Sequence, residues 1–190
     1  YIQIMKNLSL LFTKDGLQWQ INEADNVTEE EARFVTDETP KNFIEEELDK
    51  ILRRENWAEI KVFSAFNHFS LTPDVFAEHQ LGQQIISYNS DVKTESEELM
   101  LSINQKYGVQ FFYSFPKHFY QKIKSLAATS HFQFSGERFL DSVKGNKDNE
   151  IHINLYHNQV EFLALENGKL VLYNNLDATS EIDFLYFIMF

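Results

Sequence analysis

Leu8, Leu10 and Phe12 occupy every second position, and so do Leu17, Trp19 and Ile21. Between the two runs stands Thr13-Lys14-Asp15-Gly16. An Asp-Gly step between alternating runs predicts a β-hairpin, with Gly16 supplying a positive φ in the tight turn. Glu31 to Thr36 carries two signals. Thr28 and Glu31 have the spacing of a helix-capping pair, whereas Arg33-Phe34-Val35-Thr36 favours a strand. The strand is preferred because the same order of elements recurs later in the chain.

A helix is predicted next, capped by Thr39 with Pro40 in its first turn. Phe43, Ile44, Glu47, Leu48, Ile51 and Leu52 share one stripe, and the acidic start and basic end suit the helix dipole. Ile60, Val62 and Ala65 begin a strand region that Thr72-Pro73 ends, and Pro73 to Phe76 opens a short helix. Ser87 to Glu98 is polar and reads as a loop. Leu99–Ile103 and Val109–Tyr113 read as paired strands around Lys106-Tyr107-Gly108. Pro116 leads a helix carrying Phe119, Tyr120, Ile123 and Leu126; a strand at His131–Phe134 and a helix at Gly136–Val143 follow.

Gly145 to Asn149 is polar and reads as a linker. Beyond it the opening pattern restarts. Ile151, Ile153 and Leu155 alternate, then Val160, Phe162 and Ala164. A turn at Asn167-Gly168 leads to Leu170–Tyr173, and a helix is predicted from Thr179 or Ser180, with Ile182, Leu185, Tyr186 and Met189 on its stripe. Laying Leu8 on Ile151 without gaps brings the six inward positions of each hairpin into agreement and sets Asp15-Gly16 on Asn158-Gln159. Alternation is generic to hairpins; the third strand and the helix in the same order favour a duplication.

This duplicated β-β-β-α opening resembles the actin-like ATPase fold, in which two ribonuclease H-like halves flank a nucleotide cleft. The chain is more closely similar to an uncharacterised bacterial family, a domain of unknown function of the Bacteroides group assigned to that fold. The residues carrying the likeness are Leu8 to Ile21, Leu71-Thr72-Pro73 before Phe76, and Leu172-Tyr173-Asn174-Asn175 leading to Glu181–Tyr186. The resemblance implies an α/β architecture of mixed sheets with flanking helices. It implies a first half over residues 1–147, with inserted strands and helices, and the start of a second half over 148–190. That second half is then incomplete, and the sequence is expected to be a portion of a longer protein.

In actin-like ATPases the two opening hairpins hold phosphates through Gly-rich loops, with an Asp orienting Mg²⁺. The positions available here are Thr13, Asp15 and Gly16 in the first loop and Asn158 in the second. The second loop, Tyr156-His157-Asn158-Gln159, has neither Asp nor Gly, and no GxxxxGK[ST] loop occurs. ATP with Mg²⁺ is therefore not expected as a cofactor, and Asp15 is read as a turn residue. His68, His79, His118, His131, His152 and His157 show no close metal-ligand spacing, and no GxSxG elbow is present. No catalytic residue is assigned.

The bulk properties narrow the partners. The 190 residues include 18 Phe, 8 Tyr and no Cys, with a net charge of −12. Disulfides and thiol chemistry are excluded, and phosphate backbones and anionic lipids are repelled. The basic stretch Lys50–Arg54 lies beside Glu45, Glu46, Glu47 and Asp49 and reads as a solvated helix face. The aromatic runs Phe63, Phe66, Phe69 and Phe111–Phe115 lack interleaved basic residues and read as core. No apolar run reaches the ~18 residues of a membrane span. The expectation is a cytoplasmic, non-catalytic module acting through protein contacts, as secretion and pilus-assembly scaffolds of this fold do. The alternative is a divergent nucleotide-binding ATPase or kinase-like enzyme, for which Asp15 is the one support.

Overall fold

The opening alternation becomes β1 (Lys6–Thr13) and β2 (Gly16–Glu23), paired antiparallel with Leu10 opposite Trp19. The structure, a computed structural model, describes residues 4–73, 95–126, 129–146 and 148–178. The ambiguous segment is a strand, β3 (Asn26–Phe34), paired to β2. Thr28 caps no helix there; its hydroxyl donates to the carbonyl of Ile21.

The helix α1 (Phe43–Arg53) follows, with Asn42 at its N-cap. Thr39, the expected cap, is used elsewhere: its Oγ1 donates to Thr36 O at 2.8 Å and accepts from Thr36 N at 3.1 Å. That closed turn displaces the helix start to Phe43. Leu48, Ile51 and Leu52 are buried, and Trp57 donates from Nε1 to the carbonyl of Ile51.

β4 (Glu59–Ser64) lies parallel to β1, and β8 (Ser130–Phe134) parallel to β4, giving a five-stranded mixed sheet of order β3-β2-β1-β4-β8. Successive side chains of a strand point to opposite faces, so alternate ones share a face. Leu8, Leu10, Phe12, Leu17, Ile60 and Val62 are on one face and are buried. They share a core with α1 and with α2 (Lys117–Leu126), whose Phe119 stacks on Phe12 at 5.1 Å. Burying a side chain of this size contributes about 1.5–3 kcal/mol.

A second sheet, of order β5-β7-β6, is built from β5 (Phe69–Pro73), β6 (Glu97–Asn104) and β7 (Val109–Pro116). Glu97 and Glu98, expected in a loop, belong to β6 and pair with Pro116 and Phe115. β6 is an edge, so it accepts these half-exposed acids along one side. Phe111, Phe112, Tyr113 and Phe115 are buried, as expected of core aromatics. The short helix expected at Pro73–Phe76 falls outside the described residues beyond Pro73, as does the expected loop over 87–94.

α3 (Ser135–Ser142) follows β8 directly. The third sheet, of order β11-β10-β9, comprises β9 (Glu150–Tyr156), β10 (Gln159–Glu166) and β11 (Lys169–Asp177). Its strands lie where the alternation put them, but the inward face is not the one the gapless overlay selects. Ile151, Ile153 and Leu155 are exposed, Ile151 at 74%. On β10, Val160 is buried as the overlay has it, but the other buried positions include Glu161, Leu163 and Leu165, offset by one from Phe162 and Ala164. Both faces of β10 carry apolar residues, so alternation fixes the period and leaves the face open. The helix expected from Thr179 or Ser180 lies outside the described residues.

Candidate functional site

The tips of the hairpins β1–β2 and β9–β10 meet. Thr13 pairs with Gly16 across the first hairpin, so its tip is Lys14-Asp15. Tyr156 pairs with Gln159 across the second, so its tip is His157-Asn158. Asn158 takes a positive φ of 60°, which Asn tolerates better than most residues.

Gly16 does not serve the turn by a positive φ, contrary to the sequence reading; it is not among the positive-φ residues. It sits in the ladder opposite Phe34. A Cβ at Gly16 would stand 2.6 Å from Phe34 Cδ1 and 2.8 Å from the carbonyl oxygen of Arg33. Close approach of β3 is the reason for glycine there.

Direct hydrogen bonds join the tips. Asn158 Nδ2 donates to Asp15 Oδ2 at 3.0 Å, and the Lys14 backbone N–H donates to Gln159 Oε1 at 2.9 Å. The Lys14 ammonium lies 2.7 Å from Asp177 Oδ2, and this hydrogen bond is the main reason its pKa is raised. The His157 ring stacks on Phe34 at 4.0 Å. Gln159 is fully buried and donates to Ala65 O at 2.8 Å and to Asn175 Oδ1 at 3.1 Å. Ala65 N in turn donates to Phe12 O, tying the contact to β1. Thr13 is buried, and its Oγ1 has no hydrogen-bond partner among the described residues.

Thr13, Asp15, Gly16 and Asn158 thus gather at one junction. Asp15 and Asn158 touch; Thr13 faces inward and Gly16 underlies Phe34. A crevice of about 270 Å³ beside them is lined by Lys14, His68, Glu97 and Asp177, among others. Burial raises the pKa of Glu97 there.

A second cluster has no counterpart in the sequence reading. Glu161 is fully buried on β10. Its Oε1 accepts from Asn154 Nδ2 at 3.0 Å and from the Tyr156 hydroxyl at 2.9 Å. Its Oε2 accepts from the Tyr173 hydroxyl at 2.6 Å and from Ser135 Oγ at 3.2 Å. Burial, then the Glu161 charge, push the pKa of both tyrosines up. Tyr173 also packs edge-on against Phe69 and Phe111, each at 5.2 Å. The available signal was a glutamate inside the apolar run Val160-Glu161-Phe162-Leu163, since a buried carboxylate requires donors around it.

Among the described residues, no group of three His, Asp or Glu is placed to hold a metal ion, and no helix is long and apolar enough to cross a membrane.

The fold as a whole superposes on solved proteins. A Bacteroides thetaiotaomicron protein with actin-like ATPase fold and unknown function superposes with a TM-score of 0.78 at 16% identity. That likeness covers 97% of this chain and 75% of the other. The PilM-PilN type IV pilus biogenesis complex gives a TM-score of 0.50 at 7% identity, covering 91% of this chain and 62% of that one. These likenesses show the fold, that of the actin-like ATPases, and at such identities nothing more. No curated protein matches the chain. Residues 2–190 match the family described as protein of unknown function (DUF3822), and the chain belongs to that family.

Proposed function

We propose that this protein is a non-catalytic module of the actin-like fold that works by contact with another protein. The observation that carries the reading is the direct union of the hairpin tips. In a nucleotide-binding member of the fold, phosphates lie between these tips. Here Asn158 takes up the carboxylate of Asp15, and Gln159 takes up the backbone N–H of Lys14. The donors and the acid that a Mg-triphosphate would need are already engaged with each other. In the adjoining crevice the Lys14 ammonium is already paired with Asp177, so its charge is committed to a carboxylate and not to a phosphate. The residues present do not fit ATP and Mg²⁺.

Exposed aliphatic side chains supply surface for contact. Ile151, Ile153, Leu155 and Leu172 are 42–74% exposed on β9 and β11, and exposed apolar patches mark interaction sites. PilM, whose fold this chain shares, is seen in complex with PilN, which gives the reading a precedent within the fold. The same reading sets the module in the cytoplasm.

Melting the protein with and without Mg-ATP tests it. A nucleotide at a hundred times its Kd would stabilise the folded state by about 2.7 kcal/mol and raise the Tm by several degrees. No shift is expected at millimolar Mg-ATP. A reproducible upward shift, lost in Asp15→Ala, would overturn the reading in favour of a divergent nucleotide-binding enzyme.

A further inference from the structure

The face of the five-stranded sheet turned away from α1 and α2 is polar. Two rows cross it. In one, Gln18, Leu11, Phe63 and Gln133 stand side by side; in the other, Gln20, Ser9, Lys61 and His131 do. Arg138 of α3 reaches over this face and lays its guanidinium on the Phe63 ring, 4.3 Å from the centroid. Two adjoining hollows, of about 570 Å³ and about 430 Å³, share Ser9, Gln20, Phe63 and Arg138 as lining. Arg138 also borders a third, of about 360 Å³, with Asn154 and Tyr156. Together they form a groove that runs from the sheet face past Arg138 to β9.

The charge in this groove departs from the rest of the molecule. The net charge is −12. Lys6, Lys14, Arg33, Arg54 and Lys122 are each held by a carboxylate. Arg138 and Lys61 are not in an ion pair with any described residue, although both line the groove. Two acids, Glu30 and Glu31, line the larger hollow; Glu30 accepts from Gln20 Nε2 at 3.0 Å and Glu31 is paired with Arg33 at 2.8 Å. The Phe63 ring holds the guanidinium over this face, where its N–H groups can take a carboxylate. The amide of Gln18 offers both donors and an acceptor, as backbone peptide groups require; that of Gln133 donates through Nε2 to Glu137 and presents its carbonyl oxygen as an acceptor. Leu11 and Phe63 give an apolar floor between them.

We infer that this groove docks an extended, acidic peptide segment of a partner protein, with a partner carboxylate on Arg138 and Lys61 and partner backbone on the glutamine amides. The inference rests on the non-catalytic reading and names the surface and the chemistry of its partner. The open form of the groove suits a length of chain better than an enclosed small molecule. The acidic surface elsewhere repels such a segment and so confines it to this site.

The test is fluorescence anisotropy of a fluorescein-labelled peptide repeating Asp-Leu-Glu-Ser, titrated with the whole protein, alongside the same peptide with Asn and Gln replacing the acids. The acidic peptide is expected to bind and to weaken as salt is raised. Arg138→Gln is expected to weaken it about tenfold or more. Lys61→Gln is the second variant, should the first not fold, and is expected to weaken binding in the same direction. Arg53→Gln, an exposed arginine on α1 outside the groove lining, is expected to change nothing. No binding at millimolar protein, equal binding of the amide peptide, or equal loss in Arg53→Gln overturns the inference. Those results leave the non-catalytic reading standing if Mg-ATP gives no thermal shift. A Mg-ATP shift overturns that reading and this inference with it.

Discussion

Tyr173 lies against the α-carbon of Gly136: a Cβ there would stand 2.4 Å from its Cζ and 2.5 Å from its hydroxyl oxygen. The glycine adds to the contacts of a side chain that also packs on Phe69, Phe111 and Phe134 and donates to Glu161. Gly136→Ala must therefore push the ring away from the carboxylate. Overpacking of this kind costs about 1–3 kcal/mol, which urea unfolding measures. A variant as stable as the wild-type chain would show that Tyr173 has room to yield.

Glu161 accepts from Ser135, Asn154, Tyr156 and Tyr173. Glu161→Leu removes the acceptor and leaves these donors, of which Ser135 and Tyr173 are buried, facing an aliphatic side chain. A buried donor left unsatisfied costs about 1–3 kcal/mol, so the expected loss is about 3 kcal/mol or more. Glu161→Gln keeps one acceptor oxygen and should fall between the two. Chemical denaturation of the series checks the order wild type, Gln, Leu. A Leu variant matching the wild type would refute it.

Tyr113, Tyr156 and Tyr173 have folded-state pKa values raised above the usual tyrosine range, chiefly by burial. Above about pH 10 the unfolded chain releases these protons and the folded protein retains them. The folded state then binds more protons, so stability falls as pH rises. The contribution is fully present below about pH 10 and is lost above it. Thermal melts from neutral to strongly alkaline pH should show a falling Tm, with tyrosinate absorbance from these three groups appearing only on unfolding. Tyrosinate growth from all tyrosines while the fold is intact would contradict this.

Gly16→Ala is predicted to loosen β3 from β2, because the new Cβ meets both the Phe34 ring and the Arg33 carbonyl. Adding Phe34→Ala relieves the first contact and not the second, since backbone cannot step aside as a side chain does. The double variant should remain less stable than Phe34→Ala alone by about 1 kcal/mol or more. Equal stability of the two would place the whole conflict on the ring.

Much of this fold is written locally. The hairpins, α1 and the aromatic strand Phe111–Phe115 follow from period, turn residues and composition, because these depend on neighbours in sequence. Three features were not legible. The start of α1 depends on a turn that Thr39 closes onto Thr36. The inward face of β9–β11 depends on which side meets Ser135 and the Phe111–Phe134 cluster, not on alternation. The donors around Glu161 come from β9, β11 and the start of α3, and no spacing rule joins them. The junction at Asp15 and Asn158 was half legible. Overlaying the hairpins aligns these two residues, and the structure places them in contact. Matching positions meet in this way when two like elements face each other about a shared axis.

The joined hairpin tips also bear on the order in which the chain folds. Lys14 is 145 residues from Gln159 and 163 from Asp177, while each hairpin closes over a few residues. Closure entropy grows with the loop, so contacts of such separation are favoured only after the local sheets exist. Gln159→Ala is accordingly expected to quicken unfolding and to leave the refolding rate nearly unchanged, as substitutions outside a folding nucleus do. Stopped-flow traces separate the two rates, and a slowed refolding limb would place the tips in the nucleus instead. If the tips close last, their hydrogen bonds act as a kinetic latch, and the lifetime of the folded state depends on residues far apart in the chain.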